Sequence, residues 1–120
     1  MNELTVNVRL EDLRKQYALN LPEKVRKVTD SIRAFLAVPR DRVLLELAHR
    51  VVHSLTGSSG TYGFDELSRT ARGAERVLSE SLEGGTPPSS ERQHQLREMI
   101  FSLGSQAVEA AATGVACETQ

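Results

Sequence analysis

Apolar residues recur at the three- and four-residue spacing of amphipathic helices in five successive segments of this chain. Short runs that contain proline or glycine separate the segments, and the clearest of these runs lies at 83–90. Only 4% of the residues are aromatic, so the core must be built from Leu, Val, Ile and Ala, which suits packed helices better than a sheet. We therefore predict an all-α fold: an antiparallel up-and-down four-helix bundle with an additional short N-terminal helix.

Capping and breaking signals set the expected helix boundaries. An extended lead-in is expected over residues 1–8, followed by a short first helix over Arg9–Leu19. Asn20 and Glu23 are predicted to form a capping box with Pro22 in the first turn, and this box is expected to start the second helix.

The later helices follow the same signals. The third helix begins near Asp41, where an acidic side chain suits the positive end of a helix, and it ends near Gly60–Gly63. The fourth helix opens at Phe64, and a second capping box of Ser90 and Gln93 starts the fifth.

Length and charge narrow the classes of function. At 120 residues and 13.2 kDa the chain is expected to be one domain over 1–120, with a core at about 8–112 and a frayed tail at 113–120. Its 15 Lys and Arg residues against 16 Asp and Glu residues leave no basic excess for nucleic acid or a membrane surface. No signal peptide, spanning segment or cysteine pair is visible, so a cytoplasmic setting is expected.

The stretch Ala48–Phe64 keeps small residues inside a predicted helix. Glycine there costs about 1 kcal/mol relative to alanine, so retention of Gly57 and Gly60 indicates a purpose. At about 3.6 residues per turn, His53 falls on the face opposite the apolar stripe, with both glycines beside it. An imidazole next to bare backbone is accessible to another macromolecule. The predicted stripe contains Leu44, Val51, Leu55 and Tyr62, flanked by Leu47 and Ala48.

The pattern from His53 onward is typical of one family. Its positions are His53, Leu55, Gly57, Ser58, Ser59, Gly63 and Phe64. It resembles the signature of histidine-containing phosphotransfer (HPt) domains, which are carriers in multistep His–Asp phosphorelays, and the resemblance covers roughly residues 8–112. The chain departs from the family pattern at Thr56, where the family usually has a lysine that helps to hold the phosphoryl group.

The resemblance implies that His53 accepts a phosphoryl group from an aspartate of a response-regulator receiver domain and passes it to another receiver. Residues expected beside the phosphoryl group or at the docking surface are His49, Arg50, Thr56, Gly57 and Gly60. No cofactor is expected on this chain, because the receiver brings the Mg²⁺ ion. A hybrid sensor kinase is a further candidate partner. The family also implies a monomeric carrier without autonomous catalysis.

Two alternative functions stay open. A helical module that docks a receiver or kinase without transferring phosphate fits the same pattern, with Thr56 marking lost chemistry. A metal site on His49 and His53, four residues apart, would need further ligands, and only Glu46 is near in sequence. His94, in another helix, is interpreted as a plain surface residue.

The roles of several arginines are also open. Arg50 fits either a phosphoryl contact or an ion pair with Glu46. A row on the fourth helix fits either a docking or phosphate-assisting edge or a solvated helix face; it consists of Arg69, Arg72 and Arg76.

Overall fold

The computed structural model describes the backbone of residues 3–118 and the side chains of residues 9–113. This part of the chain forms four helices and no strand: α1 (Glu3–Ala37), α2 (Arg42–Thr61), α3 (Asp65–Gly84) and α4 (Ser90–Glu118). Each helix packs against the next one in the chain, and α4 packs back against α1. Because the connections are short, neighbouring helices run antiparallel. The predicted all-α bundle is therefore confirmed in its main architecture.

The core is built from aliphatic and aromatic side chains of all four helices. The largest fully buried apolar side chains are Phe35, Leu21, Ile32, Leu78, Leu96, Leu103 and Val52. Truncating a buried Leu or Ile to Ala typically costs about 2–5 kcal/mol. Packing of these buried side chains holds α2 and α3 side by side, and the outer surface of that helix pair carries polar residues.

The additional N-terminal helix predicted from the sequence is wrong, because α1 is one continuous helix over Glu3–Ala37. Asn20 does not cap a second helix; its side-chain amide donates a hydrogen bond to the Gln16 carbonyl oxygen at 2.9 Å. Pro22 also lies inside α1. The extended lead-in is wrong for residues 3–8, which are helical, and residues 1–2 lie outside the described residues.

The apolar stripe of α1 explains why the helix continues through Pro22. Proline inside a helix costs about 3 kcal/mol or more, because it removes a backbone hydrogen bond and crowds the preceding turn. Burial against α2 and α4 continues on both sides of the proline and offsets that cost. The buried members of the stripe are Tyr17, Ala18, Leu21, Val25, Val28, Ile32 and Phe35.

The ends of α2 follow the sequence signals. The Asp41 side chain caps the helix and accepts a hydrogen bond from the Leu44 backbone N–H at 3.0 Å. Gly63 adopts a φ of +83°, in the left-handed region that favours glycine, and turns the chain into α3. The α2 helix is thus fixed at both ends, with His53 between them.

The buried face of α2 is rotated from the predicted stripe. The buried residues of this helix are Leu45, Ala48, Val52, Leu55, Thr56 and Ser59. The predicted stripe residues Leu44, Val51 and Tyr62 are only partly buried, and Leu47 is exposed. The prediction placed the stripe one position off at Leu44 and Val51, because the apolar pairs 44–45 and 51–52 fit two adjacent orientations equally well.

The start and the end of α4 also differ from the prediction. Ser89, and not Ser90, caps the helix: its hydroxyl oxygen accepts a hydrogen bond from the Arg92 N–H at 3.2 Å. The helix continues to Glu118, whereas the frayed tail at 113–120 stays a prediction, and residues 119–120 lie outside the described residues. No helix in the described chain contains a stretch long and apolar enough to cross a bilayer.

Candidate functional site

His53 lies near the middle of α2 on the side opposite the core, and 73% of its side chain is exposed. Its neighbours Val52 and Leu55 are buried, so the helix orientation that seals the core also turns the imidazole outward. The predicted exposure of His53 is confirmed.

One nitrogen of the His53 ring is held by a carboxylate from α3. Nδ1 lies 2.7 Å from Oε2 of Glu75, whose own side chain is only 19% exposed. An ionised carboxylate can only accept a hydrogen bond, so Nδ1 carries the proton and donates it. The neutral imidazole then has its lone pair on Nε2, which is the nitrogen available for attack on an electrophile.

His49 lies one turn before His53 and flanks the same carboxylate. The two imidazole rings are nearly parallel, with centroids 6.3 Å apart. Nε2 of His49 is 2.9 Å from the Ser79 hydroxyl oxygen and 3.9 Å from Oε2 of Glu75. His49 therefore borders the site and is tied to α3.

An open groove of about 580 Å³ begins at His53 and runs between α2 and α3. Its α2 side is made of small residues and its α3 side carries charge. The lining residues are His53, Thr56, Gly57, Gly60, Thr61, Ser68, Arg72, Glu75, Arg76 and Ser79. The structure thus brings two of the three arginines of the α3 row to the side of His53.

The two glycines of the groove have different surroundings. A Cβ added at Gly57 would meet nothing within 4 Å, so glycine keeps that surface clear. A Cβ added at Gly60 would lie 3.2 Å from the Ser68 hydroxyl oxygen. Glycine at position 60 therefore allows α2 and α3 to approach closely, as well as bordering the groove.

Thr56 is buried at the base of the groove, with 8% of its surface exposed. Its hydroxyl donates a hydrogen bond to the Val52 carbonyl oxygen at 3.0 Å, so that proton is already used inside the helix. Thr56 was expected beside the phosphoryl group or at the docking surface; it lines the groove next to His53, but the rotation of α2 buries its side chain.

Arg50 and Glu46 do not form the ion pair that was one of the two alternatives for Arg50. Glu46 accepts a hydrogen bond from the side chain of Arg42 at 3.1 Å. Arg50 is exposed and borders a second depression, together with His49, His53 and Glu75. This depression shares His53 and Glu75 with the groove but is not lined by Arg72 or Arg76.

Two serines after His53 serve packing. Ser59 is fully buried, and its hydroxyl donates to the Leu55 carbonyl oxygen at 2.6 Å. The Ser58 hydroxyl lies 2.7 Å from the Tyr17 hydroxyl of α1, and burial raises the pKa of Tyr17. These contacts fix the end of α2 that carries the glycines.

Glu75 is the residue that the sequence analysis missed. An acidic residue between two arginines on a polar helix face has no local signal of function. The connection between the helices does contain a signal. In an antiparallel helix pair joined by the turn at Gly63, residues at similar sequence distances from the turn lie opposite each other, as His53 and Glu75 do.

Metal ligation receives no geometric support from the described side chains. Among residues 9–113, no group of three or more His, Cys, Asp or Glu side chains is arranged to hold an ion. His94 lies away from this site, where its Nε2 is 3.0 Å from Glu98 in an exposed pair one turn apart. It is a surface residue, as predicted.

The profile of the Hpt domain family matches residues 7–106. Comparison with curated proteins gives no significant match. Because the match covers most of the chain, the chain belongs to the Hpt domain family, whose members act in histidine phosphotransfer within phosphorelays and interact with receiver domains.

Proposed function

We propose that this chain is a phosphocarrier in which His53 accepts a phosphoryl group from a receiver-domain aspartate and passes it to another receiver. The observation that carries the proposal is the exposed imidazole whose Nδ1 donates to Glu75 while Gly57 leaves the adjacent surface open. An accessible nitrogen nucleophile of fixed orientation is what such a carrier requires.

The proposed transfer exchanges one bond to phosphorus for another. The Nε2 lone pair of His53 attacks the phosphorus of the aspartyl phosphate, an N–P bond forms, and the P–O bond to the aspartate breaks. The electron pair of that bond leaves with the aspartate as a carboxylate. The Nδ1 proton stays in the hydrogen bond to Glu75, whose negative charge balances the positive charge that develops on the ring. Transfer to the next receiver reverses these changes.

Most of the catalytic apparatus would belong to the partner. The receiver contributes the aspartyl phosphate and its Mg²⁺ ion, as the family resemblance implies. This chain contributes an oriented imidazole and a surface that a second protein approaches closely, without autonomous catalysis. A monomeric state, a cytoplasmic setting and a hybrid sensor kinase as a further partner belong to the same proposal.

Incubation with a phosphorylated receiver domain tests this function. The chain is expected to gain acid-labile, base-stable phosphate, and His53→Gln is expected to remove that label. His94→Gln is the matched control, because His94 is an exposed histidine on another helix and should leave labelling unchanged. Equal labelling of His53→Gln, or no labelling of the unmodified chain, would contradict the proposal.

A docking module without phosphate transfer is the second candidate. The observation that favours it is Thr56, which supplies no positive charge and whose hydroxyl proton is held by Val52. Such a module would bind a receiver domain and still remain unlabelled. Measuring receiver binding and labelling on the same samples therefore separates the two functions.

A further inference from the structure

A phosphoryl group on His53 would lie in an unusual electrostatic setting. The carboxylate of Glu75 is already hydrogen-bonded to the ring at 2.7 Å, and a phosphoryl group brings further negative charge. Position 56, where the family usually has a lysine, holds a neutral and buried threonine. The phosphorylated site therefore needs positive charge from another part of the chain.

The opposite wall of the groove supplies that charge. Arg72 and Arg76 are exposed residues of α3 that line the same groove as His53 and Gly57. Within the described side chains, neither forms an ion pair with a carboxylate at 4.0 Å or less. Both guanidinium groups are thus available to an anion.

The register of α2 and α3 places these arginines on either side of Glu75. The Ser68 hydroxyl donates to the Thr56 carbonyl oxygen at 2.9 Å, and Glu75 contacts His53 farther along the pair. Arg72 lies between Ser68 and Glu75 in the chain, so it faces the stretch of α2 around Gly57. The open space at Gly57 leaves room for a long side chain to reach toward the imidazole.

We propose that Arg72 and Arg76 bind the phosphoryl oxygens of phosphorylated His53 and supply, from α3, the positive charge that the family usually places at position 56. Guanidinium groups donate several hydrogen bonds in a planar arrangement that suits phosphate oxygens. This inference rests on the proposed function and adds two residues that stabilise the phosphorylated state.

The test compares how the phosphoryl group partitions between a receiver and the chain at equilibrium. The measured quantity is the equilibrium ratio of phosphorylated chain to phosphorylated receiver. The double variant Arg72→Ala/Arg76→Ala is expected to reduce this ratio about tenfold, because two partly screened charge contacts to the phosphoryl group are lost. Arg72→Lys/Arg76→Lys should recover most of the loss. Arg69→Ala is the matched control, because Arg69 is an exposed arginine of the same helix that does not line the groove.

A second measurement separates phosphoryl binding from receiver docking. Phosphorylation of His53 by a small phosphoramidate donor needs no receiver, and the lifetime of the product can then be followed directly. The double alanine variant is expected to lose phosphate about tenfold faster than the Arg69→Ala control. The inference would be overturned if the double alanine variant changed neither the equilibrium distribution of the phosphoryl group nor the lifetime of the phosphorylated chain. It would also be overturned if the variant reduced phosphorylation only in reactions with the receiver. Failure of the unmodified chain to take up any phosphate would instead contradict the proposed function itself.

Discussion

The α1–α4 half of the bundle and the α2–α3 half share one apolar core and differ in the polar contacts on their outer surfaces. The two longer helices, α1 and α4, contribute fully buried aliphatic residues such as Ile32 and Leu103. On the groove side of α2 and α3, by contrast, polar contacts join the helices, including His53 with Glu75. Apolar packing has little directional preference, whereas hydrogen bonds fix the orientation of a ring. The comparison indicates that both halves share the apolar core, and that the α2–α3 half adds a site of defined geometry on its outer surface.

Among variants that keep His53, the largest expected effect on transfer comes from Gly57→Leu. The leucine side chain would extend over the open surface beside His53 and hold a receiver away, so transfer should fall by about a hundredfold or more. The fold should become more stable by about 1 kcal/mol, because leucine favours a helix over glycine. Transfer assays and thermal unfolding of the same variant measure both effects.

Two alanine variants sharpen this result. Gly57→Ala fits without a clash and should keep transfer, whereas Gly60→Ala brings its Cβ within 3.2 Å of the Ser68 hydroxyl oxygen and should gain less stability. Normal transfer by Gly57→Leu would show that steric clearance at this position is not required.

A smaller loss of transfer is expected for Glu75→Ala. Without the carboxylate, Nδ1 of His53 loses the acceptor that fixes its proton, and transfer should fall about tenfold to a hundredfold. Glu75→Gln should retain more activity, because the amide oxygen still accepts the Nδ1 proton. Transfer rates for both variants, with ¹⁵N spectra of the imidazole in the unphosphorylated state, provide the measurement. A rate for Glu75→Ala equal to that of the unmodified chain would argue against this role.

The smallest effect on transfer is expected for Leu103→Ala, in the other half of the bundle. Leu103 is fully buried in α4, so its truncation should lower the free energy of unfolding by about 2–5 kcal/mol. The transfer rate per folded molecule should remain within about a factor of two, because the change does not touch the groove. Denaturant unfolding combined with transfer assays measures the two quantities. A parallel loss of both would show that the halves are not separable.

The sequence predicted features that depend on local chemistry. The exposure of His53 follows from helical periodicity, and the start of α2 near Asp41 follows from an acidic residue at the positive end of a helix. The end of α2 near Gly60–Gly63 follows from its glycines. Features that depend on packing between helices were harder to predict from the sequence. Asn20 and Pro22 carry the signals of a helix start, yet the buried stripe of α1 continues through them.

The residues of the site were predicted where they lie on one helix, and were missed or left open where they come from a second helix. His53 and Gly57 lie on one helix, so their proximity can be calculated from sequence spacing. Glu75 and the two groove arginines reach the imidazole only through the register of α3 against α2, which spacing within one helix does not give. The burial of Thr56 was not predicted, because the apolar pairs of α2 did not define the rotation of the helix.

The most direct measurement is the position of the phosphoryl group after transfer from a receiver, read by ¹⁵N and ³¹P NMR of the labelled chain. We expect a single phosphohistidine at His53 with phosphorus bonded to Nε2 and a proton retained on Nδ1. Phosphorus bonded to Nδ1 of His53, or a phosphoryl group on His49, would contradict it.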